Sequence, residues 1–188
     1  MPIFTLVEIF YLIVLVGSIG YIFSGFIKDP ASRYISGFNW RDFRFALLVA
    51  APGIILHELL HKFVAIFFGL VANFYIFWSG LGIAVFLKLI SSPFLIIAPG
   101  YVYITGDSTP LQSAIISFAG PLANLLLWFI AYLTLNNAKN LSRQKAIFLY
   151  LTKKINLTLF IFNMIPIPPL DGFNFIYSLF TYVSYFST

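Results

Sequence analysis

His57-Glu58-Leu59-Leu60-His61 sets two imidazoles four residues apart, with a carboxylate directly after the first. These are the only two histidines in the chain. On a helix, positions i and i+4 project from one face a turn apart, so both rings can reach a single ion. Glu58 then lies where it can take a proton from water activated by that ion. The bland alternative is a histidine pair on a polar helix face. Here the surrounding segment, about Phe45 to Leu70, is apolar, and ionisable residues inside a membrane are costly and usually functional. The metal reading is therefore preferred.

Catalytic zinc commonly keeps three protein ligands and one open position. The chain has no cysteine, so its donors must be nitrogen and oxygen, and His57 and His61 supply two. Besides Glu58, the acidic residues are Glu8, Asp29, Asp42, Asp107 and Asp171. Asp29 and Asp42 fall in a basic connection, Asp107 in a polar loop and Glu8 at the start of the first apolar segment. Asp171 alone follows a break between two apolar stretches, in Asn163-Met164-Ile165-Pro166-Ile167-Pro168-Pro169-Leu170-Asp171-Gly172, and elimination favours it as third ligand. Asp before Gly can equally make a turn or cap the next helix. Asn163, on the same segment, could donate to a developing oxyanion or hold substrate backbone.

The elements that must carry these groups are membrane elements. Of 188 residues 61% are hydrophobic and only 9% charged, whereas a soluble domain is about a quarter charged. The fold class expected is a mainly α multi-pass bundle of about five to six transmembrane helices, forming one domain over residues 1–188. The net charge of +5 is spread between apolar segments, as in membrane topology, with no basic run to suggest nucleic acid. Ile3 to Ile27 reads as a retained first helix, since it lacks the basic start of a cleaved signal. The second span carries the histidines, with Pro52 and Gly53 loosening it one turn earlier. A third runs from about Ser113 to Leu135 through Gly120-Pro121-Leu122-Ala123-Asn124, where Gly120 and Ala123 allow close approach and Asn124 could bond between helices. Asn136 to Lys154 reads as basic and interfacial, Ile155 to Ile165 as apolar, and Phe173 to Phe186 as a final helix. Three prolines in four residues force the backbone to break before that helix.

Val71 to Pro110 is β-prone. Phe74 to Trp78 reads as extended, Ser79-Gly80-Leu81-Gly82 as a break, and Ile83 to Ile90 as a short helix or re-entrant piece. Phe94 to Ala98 and Tyr101 to Thr105 flank Pro99-Gly100 as a hairpin. Such a hairpin leaves an apolar strand edge that either packs on the helices or receives an extended peptide.

The HELLH motif on a membrane helix, with NMIPIPPLDG near the end of the chain, resembles the site-2 protease family of intramembrane zinc metalloproteases. The Gly120–Asn124 stretch is similar to a third recurrent element of that family, and the resemblance covers about Phe45 to Gly172, the catalytic core. It implies one zinc ion held by His57, His61 and Asp171, Glu58 as catalytic base, and Asn163 contacting substrate or intermediate. It also implies a transmembrane protein substrate unwound against the strand edge, a lipid bilayer as medium, and the cell membrane of a prokaryote as location. Leu60 and Phe173 depart from the family's usual small residue and second glycine. The chain looks like a minimal member, without a PDZ-like or other regulatory domain. The positive-charge rule sets Lys28–Arg44 and Asn136–Lys154 on the cytoplasmic side, opposite to the family's usual orientation. Two other classes remain open: a silent relative that binds membrane segments as a scaffold, and a metal transporter. The first would show a lost ligand or base, the second repeated ligand sites and inverted repeats.

Overall fold

The computed structural model describes residues 3–32, 37–92 and 100–185. Among them six helices and two strands follow in the order α1 Leu6–Phe23, α2 Trp40–Phe67, β1 Val71–Ile76, α3 Trp78–Leu89, β2 Gly100–Thr105, α4 Pro110–Asn137, α5 Arg143–Asn163 and α6 Asp171–Ser184. This is the expected mainly α membrane fold with a small strand region after the histidine helix. Three helices, α1, α2 and α4, are long and apolar enough to cross a membrane. α3 and α6 are shorter, and α5 carries Lys153 and Lys154 near its middle. The outer surface fits a lipid surround: Leu6, Phe67 and Phe180 are 86%, 83% and 76% exposed, which water would penalise.

Local chemistry explains the boundaries. Thr5 accepts from the Glu8 amide while Glu8 reaches back to the Thr5 amide, closing a reciprocal cap on α1. Thr109 and Gln112 do the same for α4, with Pro110 at its first position. α2 continues through Pro52 and ends in a Schellman turn: Gly69 has φ +81, its amide donates to Ile66, and the Leu70 amide donates to Ala65. That turn sends the chain from the histidine helix directly into β1. Ser79-Gly80-Leu81-Gly82, expected as a break, lies inside α3. An apolar surround offers the backbone no water, so the helix satisfies its own polar groups even across two glycines.

α4 is the central helix, packed against α2, α5 and α6, while α1 lies on α2 and β1. The main apolar cluster joins Leu15, Ile19 and Ile22 of α1 to Phe45, Val49 and Ile54 of α2 and Phe74 of β1. The two segments Asn136–Lys154 and Ile155–Ile165, read as separate, are joined by α5, which runs unbroken from Arg143 to Asn163. The proline segment then breaks the backbone as expected, and α6 begins at Asp171. The start of α5 meets the segment after α1, where the Gln144 amide lies 3.5 Å from an Asp29 oxygen.

β1 and β2 pair antiparallel, Val71 against Thr105 through Ile76 against Gly100. Tyr101–Thr105 is thus a strand, and its partner among the described residues is the distant β1. The other arm of the expected hairpin, Phe94–Ala98, lies outside the described residues.

Candidate active site

His57 and His61 project from one face of α2, 7% and 6% exposed. Their Nε2 atoms lie 3.2 Å apart. Oδ2 of Asp171, 110 residues further along, stands 3.0 Å from His57 Nε2 and 3.3 Å from His61 Nε2. The structure therefore brings together the three groups that the sequence picked as ligands. Donors bound at about 2.0–2.1 Å to a tetrahedral zinc stand about 3.3 Å from one another, so this triangle has the size of one face of such a shell.

The far side of each ring fixes what its near side can do. His57 Nδ1 lies 2.8 Å from Asn124 Oδ1, and His61 Nδ1 lies 2.7 Å from the Ile116 carbonyl. Both partners are acceptors, so each Nδ1 carries its proton, and in its neutral form each ring turns an Nε2 lone pair inward. With the Asp171 carboxylate, three acceptors then converge with no donor among them. A cation resolves that arrangement, and nitrogen-oxygen donors of this kind suit zinc.

Room for the cluster comes from α4. A Cβ at Gly120 would collide with His61 Nε2 and lie 2.7 Å from His57 Nε2, so only hydrogen fits there. The Gly120–Asn124 stretch thus does two things one turn apart: it clears space for the rings and supplies an acceptor to one of them. Asp171 is delivered by the proline break. The N-cap of α6 is Leu170, with no side-chain cap, so the Asp171 carboxylate is not spent on capping. A Cβ at Gly172 would strike the Met164 main chain; glycine lets the first turn of α6 seat against the end of α5.

Glu58 and Asn163 line the same cavity as the triad, about 830 Å³ in volume. The Glu58 carboxylate has no hydrogen-bond or ion-pair partner among the described residues. Asn163 spends one amide hydrogen on the Leu159 carbonyl, 3.0 Å away, and keeps a second hydrogen and its oxygen. Gly100, Tyr101, Val102 and Ile104 of β2 form part of the wall, and β2 has no second strand partner among the described residues. The other acids are accounted for. Asp42 pairs with Lys28 at 3.3 Å and Asp29 with Arg41 at 3.6 Å, while Asp107 is exposed.

Two features escaped the sequence reading. Glu8, read as the start of the first apolar segment, is 3% exposed and pairs with Lys62, 1% exposed, next to His61. Glu8 Oε1 also accepts from the Phe74 amide of β1 at 2.7 Å. Asn156 of α5 is fully buried and accepts from Asn124 Nδ2 at 3.1 Å. Both have a signal in hindsight: a lysine and an amide inside apolar runs must have partners.

Residues 45–146 match the family described as Peptidase family M50. The chain is 39% identical over 133 residues to "Putative zinc metalloprotease MJ0611" of Methanocaldococcus jannaschii, covering 69% of this chain and 68% of that protein. It is 38% identical over 77 residues to "Putative zinc metalloprotease YwhC" of Bacillus subtilis, covering 37% and 35% respectively. No solved structure matches the chain. A histidine pair, a converging carboxylate and a glycine that clears their meeting point thus sit in a membrane fold, and the chain belongs to peptidase family M50, as a zinc metalloprotease of the membrane.

Proposed function

We propose that the chain is an intramembrane zinc endopeptidase that hydrolyses peptide bonds of transmembrane protein substrates, with Glu58 as general base. The observation that carries this reading is the convergence of His57, His61 and Asp171 beside Glu58, which has no partner among the described residues, in one cavity walled by a strand. His57, His61 and Asp171 would hold the zinc, which when bound supplies a Lewis acid that acidifies water and polarises a carbonyl.

The chain's own groups do the rest. Glu58 takes the proton from the attacking water and can return it to the leaving amine. Asn163 offers its remaining amide hydrogen to the substrate carbonyl oxygen as charge builds there. A substrate helix hides its peptide groups in its own ladder, so it must unwind before attack. β2 lends its outer edge to the unwound segment, and main-chain bonds to that edge replace the helical ones lost. Ile54, Val102, Ile104, Ile116, Leu159 and Phe162 give the site's wall an apolar stretch, which keeps the substrate's side chains in a medium like the one they left.

The test is cleavage of a reconstituted panel of transmembrane substrates by the full chain and by Glu58→Gln, with zinc quantified in both. The variant should keep its metal and lose cleavage, because it removes the base and spares the ligands. A variant that cuts as well as wild type, or a wild type that binds no zinc, overturns the mechanism. A zinc-loaded wild type that cuts no member of a broad panel would favour a membrane-segment scaffold instead.

A further inference from the structure

His57 and His61 are held by different kinds of acceptor. The Ile116 carbonyl behind His61 belongs to the backbone of α4 and can only accept. Asn124 behind His57 is a side-chain amide with an acceptor at one end and donors at the other. If that amide turned over, it would present N–H to His57 Nδ1. The ring would then carry its proton on Nε2, and its lone pair would point away from Asp171 and His61.

What holds Asn124 in its present sense is a set of acceptors on its nitrogen. Asn124 Nδ2 donates to the Gly53 carbonyl at 3.0 Å and to Asn156 Oδ1 at 3.1 Å. Asn156 is fixed in turn, because its own nitrogen donates to the Thr152 carbonyl at 2.8 Å. Both amides are fully buried, so no solvent is at hand to substitute for a lost partner. The Gly53 carbonyl is a shared acceptor inside a helix, which leaves Asn156 as the group dedicated to this task. The space is reserved for it: a Cβ at Gly53 would lie 2.5 Å from Asn156 Oδ1. Gly53 therefore admits the Asn156 amide to the flank of α2, one turn before His57.

We infer that Asn156 is a positioning residue that sets the tautomer of His57 through Asn124, and so fixes the direction of one of the three donors in the cluster. The inference rests on the metal reading of that cluster. It assigns to α5, which contributes no ligand, control over a ligand on α2.

Because the chain has only two histidines, ring-nitrogen resonances of ¹⁵N-histidine-labelled full chain resolve the question directly. At alkaline pH and without zinc, both rings of the wild type should show protonated Nδ1. Asn156→Leu should shift His57 toward protonated Nε2, leave His61 unchanged, and weaken zinc binding about 10–100-fold in chelator competition. Asn156→Asp keeps an acceptor toward Asn124 and should retain both the tautomer and most of the affinity. Should Asn156→Leu not fold, Asn156→Met, unbranched and able to fill the same space, is read in its place. An unchanged His57 resonance in the variant overturns the inference, and so does an equal shift of both rings, which would mean general loosening. The tautomer does not depend on peptidase activity, so a wild type that binds zinc yet cuts nothing would sink the protease reading alone.

Discussion

Two buried polar clusters lie side by side along α2, and they are built on opposite plans. Lys62 and Glu8 close on each other: one cation, one anion, with the second carboxylate oxygen and the Phe74 amide also engaged. Their charges cancel within the protein. One residue earlier on the helix, His57, His61 and Asp171 converge acceptor upon acceptor. That set is complete only with something from outside. Burial of ionisable groups is common to both clusters and so cannot tell a site from a staple; the balance of donors and acceptors can. The closed cluster ties α1, α2 and β1 together, and the other lies at the meeting of α2, α4 and α6.

The contrast breaks most visibly at the open cluster. His61→Ala or Asp171→Asn should abolish zinc binding and cleavage to background while leaving helical circular dichroism intact; metal retained in either variant would mean that the convergence is accidental. Chelation of the wild type should do the same reversibly, with activity restored by added zinc. Asn163→Ala should lower kcat about 10²–10³-fold, the cost of losing one oxyanion donor, with zinc content unchanged. At the closed cluster the sign reverses. Glu8→Gln alone strands a buried ammonium and should cost about 3–5 kcal/mol of stability in denaturant titration, whereas Glu8→Gln with Lys62→Met should recover most of it. Additive losses in that pair would show that the two residues are not a closed unit. The smallest effect should separate two glycines: Gly120→Ala presses on both imidazole nitrogens and should weaken zinc binding, whereas Gly82→Ala meets nothing within 4 Å and should leave it unaltered.

Much of the open cluster was legible in the sequence because it announces itself by residue type and local spacing. Two histidines at helical separation and an aspartate behind a proline break need no tertiary information to be suspected. The three long apolar helices are legible for the same reason, since length and composition decide them. What stayed hidden is what depends on distant partners. Nothing in Tyr101–Thr105 says that it pairs with the distant Val71–Ile76. Glu8 looks interfacial until Lys62 is brought to it across 54 positions. Asn156 resembles a polar residue near an interface because Lys153 and Lys154 precede it, yet α5 runs through them as one helix. Periodicity reads one element at a time, and these contacts are properties of pairs.

The depth of the histidines along α2 has a further consequence. His57 lies roughly ten residues, about 15 Å, from the nearer end of its helix, and on the proposed reading each cut there creates an ammonium and a carboxylate where a neutral amide stood. Isolated charges in an apolar medium carry penalties of tens of kcal/mol before relaxation, and hydration at the membrane surface removes them. The new chain ends are thus driven outward, each fragment leaving along its own path to water. Religation would have to bring both back dehydrated. The same burial that makes the substrate hard to open makes the product easy to discard, and gives the reaction its direction.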